Sequence, residues 1–254
     1  MKQIKSIIGV CLGIATLCAC SDSLLDVNPS MQNTSNNFFK SAEQLELGVN
    51  AAYSTLQLNG QYEISNLLLG ELPSDNTWDE VPANDGGHCG QLDEFSMTSG
   101  NTVTENSWCD NYIGIQQCNV VLNRVGNIPG VSEAKKNATI GEMKFLRGLM
   151  YFNLVRIFGD VPLVTQETTN VNDYFGQGRT ASEEVYKQIQ ADLTDAVSLL
   201  PETASQRGRA NKWAALGILA KVELTLKNYS AAQKHLQEIV NANQYALLED
   251  PSLI

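Results

Sequence analysis

The sequence predicts a mainly α-helical protein built from antiparallel helical hairpins. Three observations carry this: apolar residues recur every three or four positions over most of the chain, capping signals precede several of those runs, and no convincing stretch has the two-residue period of a strand.

Ser41-Ala42-Glu43-Gln44 reads as a capping box, a serine cap with glutamine three positions on. Leu45, Val49, Ala52 and Leu56 then share one face of a first helix expected to end near Asn59-Gly60. The apolar run from Ile64 to Leu69 is expected to pack on it. From Pro73 to Asn106 the chain turns polar and rich in Gly and Pro, a long irregular excursion between helices. Trp78 and Phe95 inside it argue against disorder.

Trp108, Tyr112, Ile115, Leu122 and Val125 mark the next helical stripe, ended by Gly126 and Pro129. Ser132 to Phe158 is the strongest helix, apolar over a broad arc and so expected deep in the core, with Gly159 and Pro162 stopping it. A loop from Val161 to Arg179 follows, then a second capping box at Thr180-Ala181-Ser182-Glu183 and a stripe of Val185, Ile189, Leu193, Ala196 and Leu200. Ala210 to Leu226 and Ser230 to Val240 complete the set, the latter capped by Ser230 with Gln233. Leu216, Ala220 and Leu224 are expected to face Ala232, Leu236 and Ile239; the spacing of Ala220 from Ala232 matches a tetratricopeptide hairpin, where small residues let two helices approach closely. The hairpins fall at 132–200, with the longer connection, and at 210–241. Arg147, inside an apolar helix, calls for a buried carboxylate, and Asp192 is a possible partner.

The start of the chain is an export signal. Lys2 and Lys5 precede an apolar stretch from Ile7 to Leu17, too short to span a bilayer. Leu17-Cys18-Ala19-Cys20 reads as a lipobox, so residues 1–19 read as a signal peptide and Cys20 as the lipidated first residue of the mature chain; the alternative is an ordinary secretory signal in which Cys20 is incidental. The polar run through residue 37 reads as a tether, and residues 38–254 as the folded domain.

Loss of Lys2 and Lys5 leaves 15 basic residues against 28 acidic ones, a net charge of −13. Such a chain repels polyphosphates, which disfavours nucleic acid as a partner. Cys89, Cys109 and Cys118 remain in the domain; an odd number forbids full pairing, and the spacing leaves either three thiols or one Cys89–Cys109 bridge. No Cys-x-x-Cys pair occurs and His88 and His235 are far apart, so a structural zinc is not expected. No cofactor is expected either.

The excursion supplies the candidate ligand site. A sugar site needs a ring to stack on the apolar face of a pyranose and polar groups to hold its hydroxyls. Trp78 supplies the ring, and Asp75, Asn76, Asp79, Glu80, Asn84 and Asp85 the polar groups. The alternative is that these residues solvate a loop and Trp78 plugs the scaffold. Trp108 and Trp213, on helical stripes, read as core.

Several segments, in order, resemble one family. They are Cys20-Ser21-Asp22 with Leu24-Leu25-Asp26 and Pro29; Phe38-Phe39-Lys40 with Asn50-Ala51-Ala52-Tyr53; and Trp108, Tyr112, Ile115 and Asn119. Phe145-Leu146-Arg147, Tyr151-Phe152, Leu154 and Gly159-Asp160-Val161-Pro162-Leu163 follow, then Gly208-Arg209-Ala210 with Ala214-Ala215 and Leu219-Ala220. Together they resemble the SusD/RagB family of surface glycan-binding lipoproteins of Bacteroidota. The resemblance implies a tetratricopeptide-like scaffold with long irregular loops, lipid anchoring at the outer membrane with surface exposure, and a glycan ligand. It also implies a SusC-type TonB-dependent transporter as partner, and binding without cleavage. Asp75 aligns loosely with an aspartate common in that family. Family members are about twice this length, so the chain is expected to match the N-terminal half, with a truncated ligand site and apolar surface left open. Two other functions compete: a surface glycoside hydrolase using two loop carboxylates, and a helical-repeat adaptor that contacts only protein.

Overall fold

The computed structural model describes residues 38–247 apart from 171. The lipobox, Cys20, the tether and the last seven residues lie outside the described residues. Among those described, the protein is helical; the extended pairing is a single antiparallel bridge between Val161 and Thr180. No described helix is long and apolar enough to cross a membrane.

Helix α1 (Ala42–Ser54) starts at its expected serine cap, where Ser41 Oγ accepts from the Gln44 amide; Gln44 Oε1 reaches back to the Lys40 amide at 2.7 Å, one residue before the Ser41 amide a capping box would use. Leu45, Val49 and Ala52 are fully buried beneath it. It ends five residues before the expected Asn59-Gly60 stop, passing into a 3-10 turn (Thr55–Gln57) and a π turn (Asn59–Glu63). Tertiary contact decides this. The Gly60 amide donates to Asp110 Oδ2 at 2.7 Å, and a Cβ on Gly60 would sit 2.0 Å from the Asn106 carbonyl oxygen, so only glycine lets the turn approach so closely. Helix α2 (Ser65–Glu71) packs chiefly on that turn and on the long helix that follows, not on α1 as expected.

The excursion is shorter than its composition suggests. It holds a helix, α3 (His88–Asp93), and ends at α4 (Thr102–Arg124), whose first amides at Val103 and Thr104 are capped by Asn101 Oδ1. Helix α5 (Glu133–Phe158), about 39 Å long at the usual rise, is capped by Ser132 and buried on most sides between α4 and the next helix. Gly159 ends it at φ +69°, a conformation that favours glycine.

Helix α6 (Ser182–Leu199) corrects one expectation. Thr180 makes no cap; its backbone is engaged in the bridge with Val161, and Asp160 Oδ1 accepts from the Ser182 amide at 2.9 Å instead. Helix α7 (Lys212–Thr225) is capped by Asn211, and α8 (Tyr229–Ala242) begins one residue before the expected Ser230 cap, with no side-chain cap. Ala220 and Ala232 are both fully buried where α7 meets α8. Leu224 and Leu236, expected to fill the flanks, are instead 45% and 42% exposed.

Two polar hubs fix the stack. Arg147, on α5, forms a two-pronged pair with Asp192 of α6, both contacts at 2.8 Å. Its remaining donors reach Asn119 Oδ1 of α4 at 2.7 Å and the Thr165 carbonyl at 2.9 Å. The loop after α5 is thereby pinned into the α4–α5 groove, with Tyr112 bonding the Pro162 carbonyl and Tyr151 the Val164 carbonyl. The second hub is Arg209, which bonds Glu142, Glu46 and Asn50 and lies over the Tyr53 ring, tying the start of α7 to α1 and α5. Trp213 is buried and Trp108 packs edge-on against Phe158 at 5.1 Å, both in the core as expected.

Candidate functional site

The polar excursion folds into a cleft. After α2 the chain turns back on the end of that helix: the Glu71 carbonyl accepts from the amide and hydroxyl of Ser74 and from the Thr77 hydroxyl, so helix-end acceptor capacity is met locally. The far wall is α3 and the residues after it. A clasp joins the walls, the Asp79 amide donating to Asp93 Oδ2 at 3.0 Å. The space between them, about 690 Å³, is lined by residues 72–78 with Asp93 and Phe95, and falls in the range of small-molecule pockets.

Three of the seven residues singled out from the sequence meet here: Asp75, Asn76 and Trp78. The Trp78 ring is 74% exposed, so it is not a plug in the scaffold. Asp79, Glu80, Asn84 and Asp85 do not line the cleft, and two of them carry the loop's own backbone. Asp79 Oδ1 accepts from the Val81 amide, and Asp85 Oδ2 from the Cys89 amide at the start of α3. The Cys89 thiol and amide together hold the Asp85 carboxyl below the usual range.

Sequence reasoning did not place Phe95 in the site. It stands on the cleft lining, 72% exposed, with its backbone at φ +52°. That left-handed conformation is costly for a large side chain, and such strain is found where a fold holds a group in a set place. The turn is closed by the Ser96 amide donating to the Gln91 carbonyl at 2.9 Å. The available signal was that Phe95, like Trp78, is an aromatic ring amid polar residues. His88 ties this wall to α4: its carbonyl accepts from Asn101 Nδ2 at 2.9 Å and its Nδ1 from the Thr102 amide.

A second recess, about 540 Å³, lies among Tyr53, Leu56, Tyr62, Phe145, Leu149 and Ile218. It carries three rings, and Gln57 and Arg209 also line it, but its exposed lining is almost wholly apolar, so it offers few polar groups to hold sugar hydroxyls. Cys89, Cys109 and Cys118 are free thiols. No cluster of metal-ligating side chains occurs among the described residues.

Comparison with known proteins gives this geometry its context. A SusD-like family model, described as starch-binding associating with outer membrane, matches residues 23–224. The chain belongs to that family. A SusD-like protein, P2, of Formosa agariphila is 29% identical over 232 residues, covering 90% of this chain and 44% of its own length. The crystal structure of a SusD-like protein from Bacteroides fragilis superposes with a TM-score of 0.75 at 26% identity, over 86% of this chain and 41% of that one. A laminarin-binding SusD-like protein superposes with a TM-score of 0.70 at 28% identity, over 79% of this chain and 44% of that one. The chain thus spans about half the length of the curated SusD-like relatives it matches.

Proposed function

We propose that this SusD-like chain binds a glycan in the Trp78 cleft and delivers it, uncleaved, to a SusC-type TonB-dependent transporter. It would do so from a lipid anchor at Cys20 on the outer face of the outer membrane. The observation that carries the reading is the pair of exposed rings, Trp78 and Phe95, on one cleft with Asp75 and Asn76. A pyranose presents an apolar face that stacks on such rings and a rim of hydroxyls that amides and carboxylates hold. The family description and the laminarin-binding relative support a carbohydrate as the ligand.

The positions of the carboxylates support binding without hydrolysis. A glycosidase holds an acid and a base roughly 5 to 9.5 Å apart across the scissile bond, on elements rigid enough to keep that spacing. Asp75 lies on a turn, and Asp93 already accepts the Asp79 amide that closes the loop.

Titration calorimetry of the full chain against starch, laminarin, xylan, mannan and galactan tests the reading. Trp78→Ala should weaken the bound glycan by about tenfold, the worth of one ring stack. Unchanged affinity would remove the cleft from the proposal, and sustained release of reducing ends would replace the binder with an enzyme.

A further inference from the structure

We propose that the Trp78–Phe95 cleft selects uncharged glycans and turns away uronate- or sulfate-bearing ones, because its walls carry Asp75 and Asp93 within a stretch of chain that holds no Lys or Arg. The inference rests on the glycan-binding reading of the cleft and adds the class of glycan.

The stretch is long. Between Lys40 and Arg124 the sequence has twelve Asp and Glu residues and neither Lys nor Arg. The fold keeps it together. Helix α3 packs on α2 and α4, and α2 on the π turn, α3 and α4, so the main supports of the cleft come from the same stretch. Arg124 closes the far end of α4, some 33 Å along the helix from Thr102, where α3 is attached. That exceeds several screening lengths in physiological salt, and Arg124 pairs with Glu167. Arg156 is on the part of α5 that runs beside the start of α4, as the Trp108–Phe158 contact shows. It lies over the Phe152 ring at 4.3 Å and bonds Asn153 Oδ1. None of the residues lining the cleft is cationic.

The consequence is electrostatic. Stacking on Trp78 and Phe95 is indifferent to salt, and carboxylates accept bonds from neutral hydroxyls as readily as amides do. A sulfate or carboxylate on the sugar meets like charge from both walls. At about 4 Å in water each such pair costs about fivefold in affinity, and a polyanion repeats the cost along its length. Added salt shortens the screening length to about 3 Å at 1 M and lifts the repulsion. Polyanions held by basic proteins lose affinity as salt rises; here the sign is opposite.

The test compares matched pairs: laminarin with sulfated laminarin, and starch with carboxymethyl starch, titrated against the full chain at 20 mM and 1 M NaCl. The neutral member should bind at least tenfold more tightly at low salt. Salt should narrow the gap by raising affinity for the charged member. Asp75→Asn and Asp93→Asn, which keep a side-chain acceptor, should each raise the charged-to-neutral affinity ratio by about fivefold. Equal or tighter binding of the charged member, lost in Trp78→Ala, would overturn the selectivity and leave the site standing. Binding indifferent to Trp78→Ala, or none by either member of any pair nor by xylan, mannan or galactan, would overturn the site and the selectivity with it.

Discussion

Arg147 and Asp192 meet through two parallel contacts of 2.8 Å, with side chains only 6% and 1% exposed. A buried pair of this kind is costly to break and much less costly to replace whole. Asp192→Ala leaves a guanidinium buried without its carboxylate and should lower stability by about 3–5 kcal/mol. Arg147→Met with Asp192→Leu should lose much less than Asp192→Ala alone. Urea unfolding with a constant m-value distinguishes the two. Equal losses would mean that the pair itself, and not the stranded charge, holds the helices together.

The start of α6 offers a test of local signal against tertiary contact. Asp160, twenty-two residues before Ser182, supplies the acceptor that the Thr180 hydroxyl was expected to supply. Asp160→Ala should cost about 1 kcal/mol, as loss of a helix cap does. Thr180→Ala, which leaves the backbone bridge to Val161 intact, should stay within about 0.5 kcal/mol. Thermal unfolding of both variants decides between them.

The three thiols should react in a fixed order. Cys109 is exposed on α4. Burial, reinforced by the Asp85 carboxylate, pushes the Cys89 thiol up to about 11, and complete burial pushes Cys118 up to about 12. A raised pKa leaves little thiolate near neutral pH, so at pH 8 iodoacetamide should label Cys109 first and Cys89 slowly. Cys118 should label only in denaturant. Raising the pH toward 11 should speed Cys89. Mass spectrometry of timed samples gives the order, and rapid labelling of Cys118 in the folded protein would contradict its burial.

Phe95 separates stability from binding. Glycine tolerates φ +52° where a phenylalanine is strained, and the ring is mostly in water. Phe95→Gly should therefore raise stability by about 0.5–1 kcal/mol, the left-handed strain less the added chain entropy. It should lower glycan affinity at the same time. Opposite movement of unfolding midpoint and affinity is the expected result; a drop in both would make Phe95 a packing residue.

Much of this was legible along the chain because it depends on neighbours in sequence. The α1, α5 and α7 helices come from short-range periodicity. Ser41 and Ser132 cap helices because a hydroxyl reaches an amide three residues ahead, whatever else surrounds it. Arg147 demanded a carboxylate because burying a lone charge is prohibitive, and Asp192 answered it. Trp78, Asp75 and Asn76 could be gathered as site candidates because they sit within four residues of one another.

What sequence could not supply was distance between remote residues. The early end of α1 is set by Gly60 against Asn106 and Asp110, some fifty positions on, and the cap of α6 by Asp160 across a loop. In the cleft the Asp79 amide reaches Asp93, and Phe95 shares a space with Trp78. Local periodicity and capping chose the helices, since those interactions span one or two turns of chain. The site was decided by packing, since its two walls are separate segments joined only when the helices around them have closed.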